Sequence, residues 1–166
     1  LDGRCTKDFG ALLIVDVDNF KTINDSVGHD GGDALLRDFS DRLRTAVGRP
    51  SFVARTGGDE FAISSRMKGG STTVQDLARR IQSSFEHPFR IGQLTVSISC
   101  AIGGAVKLSA DGKSGDTAEN LQNGADHLRL AQIALKRAKH SGRIEIYEPE
   151  ASMISDNRFS METALR

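Results

Sequence analysis

The chemistry in this sequence concentrates in a few carboxylates. Asp16 ends an aliphatic run, Ala11 to Val15, and Asp59 and Glu60 follow two glycines in Arg55-Thr56-Gly57-Gly58-Asp59-Glu60-Phe61. Two carboxylates brought together repel unless something positive sits between them. Mg²⁺ is the usual answer when phosphates are the substrate. It prefers hard oxygen ligands, takes one or two protein carboxylates, and leaves positions for phosphate and water. It would act there as a Lewis acid and neutralise charge at a phosphoryl centre. A simpler reading is also open: Asp16 caps the next segment and Asp59 serves a turn, where aspartates are common.

Further polar groups surround these carboxylates in sequence. Asp16-Val17-Asp18-Asn19-Phe20-Lys21-Thr22-Ile23-Asn24-Asp25 is dense in turn formers, and backbone N–H groups in such a turn can cradle phosphate oxygens. Gly28-His29-Asp30-Gly31-Gly32-Asp33 then opens the first helix. Asp33 reads either as its N-cap or as a base-recognition residue. A carboxylate accepts from N1–H and N2–H of guanine, and Asn24 can add amide contacts; adenine offers no such donor pair. Lys139 and Arg143, with Lys136, Arg137 and His140, form a basic cluster. Cations at a helix carboxyl end suit the macrodipole and are often only solvated. The functional alternative is a clamp on the terminal phosphates of a nucleotide. There is no Gly-x-x-x-x-Gly-Lys-Ser/Thr, no Gly-x-Gly-x-x-Gly, and no evident Ser–His or Cys–His nucleophile. Cys5 and Cys100 lack metal-ligand spacing and read as two free thiols, Cys100 in the core.

Hydrophobic spacing supplies the elements that must position these groups. Ala11 to Val15 reads as a buried strand. Leu35, Leu36, Phe39, Leu43 and Val47 recur at helical spacing from Asp33 until Gly48 and Pro50. Ser51 to Arg55 and Phe61 to Ser65 are strands. The segment between them reads as a tight hairpin turn, its glycines accepting positive φ. Lys68 to Ser71 is a loop, and Val74, Leu77, Ala78, Ile81 and Phe85 mark a second helix. Leu94 to Val106 is β-rich, and Ser109 to Thr117 is a loop. Ala125, Leu128, Ala131, Leu135 and Ala138 mark a third helix, ended at Gly142, and Ile144 and Ile146 a last strand. The first six elements make an α+β, ferredoxin-like βαββαβ core, with an extra C-terminal helix and strand. In that topology strand one and strand two run parallel, with the third antiparallel between them. The end of strand one then lies beside the turn joining strands two and three, so Asp16 and Asp59 share one sheet edge.

Length and charge bound the reading further. The chain has 166 residues, room for one full core. Lys plus Arg equals Asp plus Glu at 22 each, so no overall basic field exists to hold nucleic acid. The longest aliphatic run is far short of a membrane span, and the amino terminus does not read as a signal peptide. A cytoplasmic location is expected, with membrane attachment of a longer parent protein left open.

Four collinear segments resemble the GGDEF domain family of diguanylate cyclases. They are the Gly57-Gly58-Asp59-Glu60-Phe61 signature, the Asp16 to Asp25 stretch, Gly28-His29 with Gly32-Asp33-x-Leu35-Leu36, and Ala134-Leu135-x-x-Ala138-Lys139-x-x-Gly142-Arg143. The resemblance implies a palm-type nucleotidyl cyclase fold that condenses two GTP molecules into cyclic di-GMP, releasing two pyrophosphates. It implies that Asp16 and Asp59 bind Mg²⁺, or Mn²⁺ in its place, with the Val17 carbonyl helping, and that Glu60 lies near the metal. Asn24 and Asp33 would recognise guanine, Phe20 and Lys21 would offer backbone donors to phosphate, and Lys139 and Arg143 would hold the β- and γ-phosphates. One domain binds one GTP, so a second GGDEF domain must meet it in a transient homodimer. The family's inhibitory product site needs Arg-x-x-Asp where this chain has Gly48-Arg49-Pro50-Ser51, so no such site is expected. The usual leading helix with D-x-L-T-x-L-x-N-R lies outside the sequence. Gln132, Lys136 and Ile144 replace the closing motif's common Asp, Tyr and Asn. Residues 1–150 are read as the GGDEF domain and 151–166 as a linker towards an EAL phosphodiesterase domain, with a sensor domain upstream. The rival expectation is a GTP-binding regulatory module that controls such a phosphodiesterase. A purely structural dimerisation domain would not need so complete a polar set.

Overall fold

A computed structural model of the chain describes residues 10–65, 71–106 and 117–147. Strand β1, Ala11–Val17, is buried along its whole length. It lies in the middle of a five-stranded sheet, pairing antiparallel with β3, Glu60–Ser65, on one side and with β6, Cys100–Val106, on the other. Helices cover both faces, which is why β1 and β6 read as continuous apolar runs rather than alternating ones. β2, Phe52–Arg55, forms one edge beside β3, and β7, Glu145–Tyr147, forms the other, parallel to β6. The resulting order, β2-β3-β1-β6-β7, is that of the expected ferredoxin-like core with one added strand.

The two faces of β1 divide the core. Leu13, Val15 and Val17 join the larger cluster with α1, Phe20–Val47, and α2, Ser71–Ser84. Phe39 centres it, stacked on Phe85 at 4.1 Å between centroids and tilted against Phe61 at 5.2 Å. Leu12 and Ile14 face the smaller cluster, made with Ala131, Leu135 and Ala138 of α3, Thr117–Ser141. That cluster is built from alanines because α3 lies very close to β6. A Cβ on Gly103 would collide with the backbone of Ala134 and Leu135.

Several local expectations are corrected. The first helix starts at Phe20, not Asp33; Gly28, at φ 77°, breaks it without ending it. Asp33 is therefore well inside the helix and cannot be its N-cap. The β-rich stretch from Leu94 divides in two. β5, Leu94–Val96, pairs with β4, Phe89–Ile91, in a separate hairpin turned at Gly92-Gln93, and only β6 enters the main sheet. A two-residue turn with glycine first is the signal for that hairpin. Leu128 is 38% exposed, although its spacing placed it on the inner face of α3. Arg42, with no motif to mark it, stacks on Phe89 at 3.6 Å and donates to the carbonyls of His87 and Pro88, fixing the chain between α2 and β4. The loops expected at Lys68 to Ser71 and at Ser109 to Thr117 end one residue earlier, because Ser71 begins α2 and Thr117 begins α3; the rest of both loops, Cys5 and the linker from Ala151 lie outside the described residues.

Replacing Gly103 by Ala should lower stability by about 1–3 kcal/mol, the usual cost of overpacking. Urea unfolding checks this; an unchanged midpoint would mean that α3 does not rest on β6 at this point.

Candidate functional site

Alternation along β1 decides where Asp16 points. Since Leu12 and Ile14 face α3, Asp16 faces it too. There it meets Lys139 near the end of α3, whose Nζ lies 2.8 Å from Oδ2. Asp16 is only 7% exposed. Burial pushes its pKa above the ordinary carboxylate value; the hydrogen bond and charge of Lys139 oppose the shift, and the charges of Asp59 and Glu60 add to it. A buried carboxylate with three charged neighbours is the kind of group found at functional sites.

The register then supplies the other carboxylates. Asp16 stands opposite Glu60, and the Val17 amide donates to the Asp59 carbonyl at 3.1 Å. The expected meeting of Asp16 with Asp59 at one sheet edge is thus what the backbone shows. Around the turn, Arg55 donates to the carbonyls of Gly57 and Gly58, the latter through Nη2 at 2.6 Å. Thr56 Oγ1 holds Glu60 Oε1 at 2.8 Å. The role expected for the two glycines is corrected here. Neither Gly57 nor Gly58 has positive φ, and a Cβ at Gly58 would meet nothing. The turn itself does not require them; what they leave is open space beside Asp59.

Across the sheet edge, Ser99 Oγ donates to Asp18 Oδ2 at 2.6 Å, and the Asp18 amide donates to the Ser99 carbonyl. Asn19 follows at φ 54° and begins α1 without a side-chain cap. The amides of Phe20 and Lys21 therefore belong to an uncapped first helical turn, where N–H groups lack partners within the helix. They can serve phosphate oxygens as donors at a helix N-terminus rather than in an irregular turn. Cys100, paired with Val17 across the strands, is buried, and its thiol is pushed up to about 12, first by burial and then by Asp18 and Asp16. It stays protonated at neutral pH.

The break at Gly28 folds Asn24 back onto Gly32, the residue before Asp33. Asn24 Nδ2 contacts His29 Nδ1 at 3.0 Å across the break. Its carboxamide lies so close to Gly32 that a Cβ there would collide with Oδ1. Asp33 is the next residue, exposed on a groove of about 460 Å³ shared with Arg37, Arg55 and the buried Leu36 and Phe61. Asn24 does not line that groove. Arg143 is exposed beyond the end of α3; its amide donates to Ser141 Oγ, and no contact brings its guanidinium to Asp16. Among the described residues no three His, Cys, Asp or Glu side chains form a ready metal cage. Thr56, Ser99, Arg55 and Arg37 escaped the sequence reading. The spacing of Thr56 four residues before Glu60 could have indicated its role, but Ser99 and Asp18 are 81 residues apart.

A sheet carrying carboxylates at one edge, with helices on both faces, defines a mixed α+β nucleotidyl-cyclase-like fold. A family model described as "Diguanylate cyclase, GGDEF domain" matches residues 3–145, and the chain belongs to that family. Of the solved structures, an EAL/GGDEF domain protein from M. capsulatus is 38% identical, with a TM-score of 0.69 and 86% of each chain covered. The active GGEEF domain of a diguanylate cyclase from Vibrio cholerae is 31% identical, with a TM-score of 0.68, covering 83% of this chain and 82% of that one. The cyclic di-GMP phosphodiesterase PdeR of Escherichia coli is 34% identical over 93% of this chain, which spans 22% of its length.

The raised pKa of Asp16 has a definite consequence for stability. The folded state holds the Asp16 proton more tightly than the unfolded state, so this group's contribution falls as pH rises from its ordinary value of 3.8 through the raised one. Asp16→Asn should therefore unfold at higher urea than the native chain at neutral pH without metal, the gap closing at acid pH. A less stable Asp16→Asn at neutral pH would show that pairing with Lys139 outweighs burial.

Proposed function

We propose that the chain is the catalytic GTP-binding domain of a diguanylate cyclase. The observation that carries this reading is the convergence of Asp16, the Asp59–Glu60 turn and Lys139 at one sheet edge, beside the uncapped start of α1. Asp16 and Asp59, with the Val17 carbonyl, would hold Mg²⁺, which supplies Lewis-acid and charge-neutralising chemistry to the phosphates. The first-turn amides of Phe20 and Lys21 bind phosphate oxygens. Lys139 leaves Asp16 for the β- and γ-phosphates, where Arg143 joins it. Asn24 and Asp33 recognise guanine. Thr56 keeps Glu60 turned towards the site.

The reaction needs two such domains face to face, each holding one GTP. Each 3′-hydroxyl attacks the α-phosphorus of the other nucleotide in line, and pyrophosphate leaves. Positioning and charge stabilisation supply most of the rate. Gly48 and Ser51 stand where an inhibitory product site would need Arg and Asp, so product should not inhibit through that site.

A second reading rests on the phosphodiesterase PdeR, of which this chain matches about a fifth. In it the chain binds GTP and controls a downstream EAL phosphodiesterase, with residues 151–166 as the connection and a sensor upstream.

Incubation with GTP and Mg²⁺, alone and within the longer protein, separates the two readings. The cyclase reading expects cyclic di-GMP by chromatography, reduced roughly 100-fold or more in Asp59→Asn. GTP binding without product, together with a GTP-dependent change in phosphodiesterase rate, would establish the regulatory reading instead.

A further inference from the structure

Three guanidinium groups line the groove that Asp33 opens onto: those of Arg37, Arg44 and Arg55. Two are already engaged. Arg44 pairs with Asp41 at 3.2 Å, and Arg55 is held by the carbonyls of Gly57 and Gly58. Arg37 has no ion pair or hydrogen bond among the described residues and is exposed. It lies four residues after Asp33 on α1, so the two side chains share one helix face about 5–6 Å apart at Cβ. Buried Leu36 and Phe61 give the same groove an apolar wall on which a flat ring can lie.

Base chemistry completes the argument. A carboxylate at Asp33 accepts from N1–H and N2–H of guanine. The next groups around the ring are O6 and N7, both acceptors. An arginine fork is the side chain that matches this pair in a plane, and it is the commonest specific contact to guanine. Adenine carries an amino donor at position 6, which would face the guanidinium's own donors.

We propose that Arg37 reads O6 and N7 of the bound guanine, so that Asp33 and Arg37 together enclose the base from two edges. Arg37 is then a specificity-determining residue of this chain. The inference rests on the reading that the domain binds GTP.

The test is equilibrium binding by calorimetry with Mg²⁺, comparing 2′,3′-dideoxy-GTP with its 7-deaza analogue. Neither has an attacking hydroxyl, and the analogue lacks only the N7 acceptor. The native chain should bind dideoxy-GTP roughly tenfold more tightly than the 7-deaza form. Arg37→Met should bind both weakly and equally, with Arg37→Lys recovering only part of the difference. Arg37 is exposed, so thermal unfolding of the variant should match the native chain. Equal binding of both nucleotides by the native chain would overturn the role of Arg37 while leaving GTP binding intact. So would discrimination that survives in Arg37→Met. An equal loss for both nucleotides in Arg37→Met, from a native chain that does not discriminate, would assign Arg37 to phosphate instead. Binding of neither nucleotide by the native chain would defeat the GTP reading itself, and the inference with it.

Discussion

The pairing of β1 between β3 and β6 is the constraint on which the site depends. β1 is buried throughout, so its register cannot slip by one residue without turning every apolar side chain to the wrong face. That register sets Asp16 opposite Glu60 and ties Val17 to Asp59. It also turns Asp16 towards α3 rather than towards α1 and α2. The catalytic carboxylates of the proposed cyclase are thus located by the same hydrophobic pattern that builds the sheet.

Asp16 sits where its charge is unfavourable. Burial and two neighbouring acids favour its protonated form, and Lys139 offsets part of this. The lysine can do so only because α3 lies close on β6. That closeness depends on Gly103 and on the small side chains of Ala131 and Ala138. A glycine in a strand distant in sequence therefore helps to set the charge balance at the site. An electrostatic arrangement that needs positive charge is suited to a ligand that brings a cation with it.

The α1 segment carries most of the residues proposed for recognition. A helix without interruption would carry Asn24 and Asp33 at fixed positions along one rod. The break at Gly28 lets the first turns lean so that Asn24 packs on Gly32, next to Asp33. The uncapped first turn beside Asp16 points its amides at the same region. The phosphate and base contacts of the proposed cyclase would in this way be carried by one element, anchored in the core by Leu35, Leu36, Phe39 and Leu43.

Much of this was legible in the residues themselves. Apolar periodicity located the helices and the main strands, and the βαββαβ order implied that Asp16 and Asp59 meet, because chain connectivity and handedness leave few topologies. Spacing could not show that Asp33 lies inside a helix, since the glycines from Gly28 to Gly32 look like a helix start, whereas only Gly28 departs from helical geometry and helix runs on both sides of it. Composition also suggested that Gly57 and Gly58 make the turn, whereas the backbone there needs no positive φ. The separate β4–β5 hairpin was hidden because Leu94 to Val106 is apolar enough to pass for one strand. What the sequence by itself determined is the set of polar residues, the order of elements and hence the sheet edge at which the carboxylates gather. Only the tertiary structure decided which face Asp16 takes, that Lys139 reaches it, that Ser99 holds Asp18 and that Arg37 has no partner among the described residues. Those relations join residues distant along the chain through packing, and packing depends on shape and close approach that no local pattern encodes.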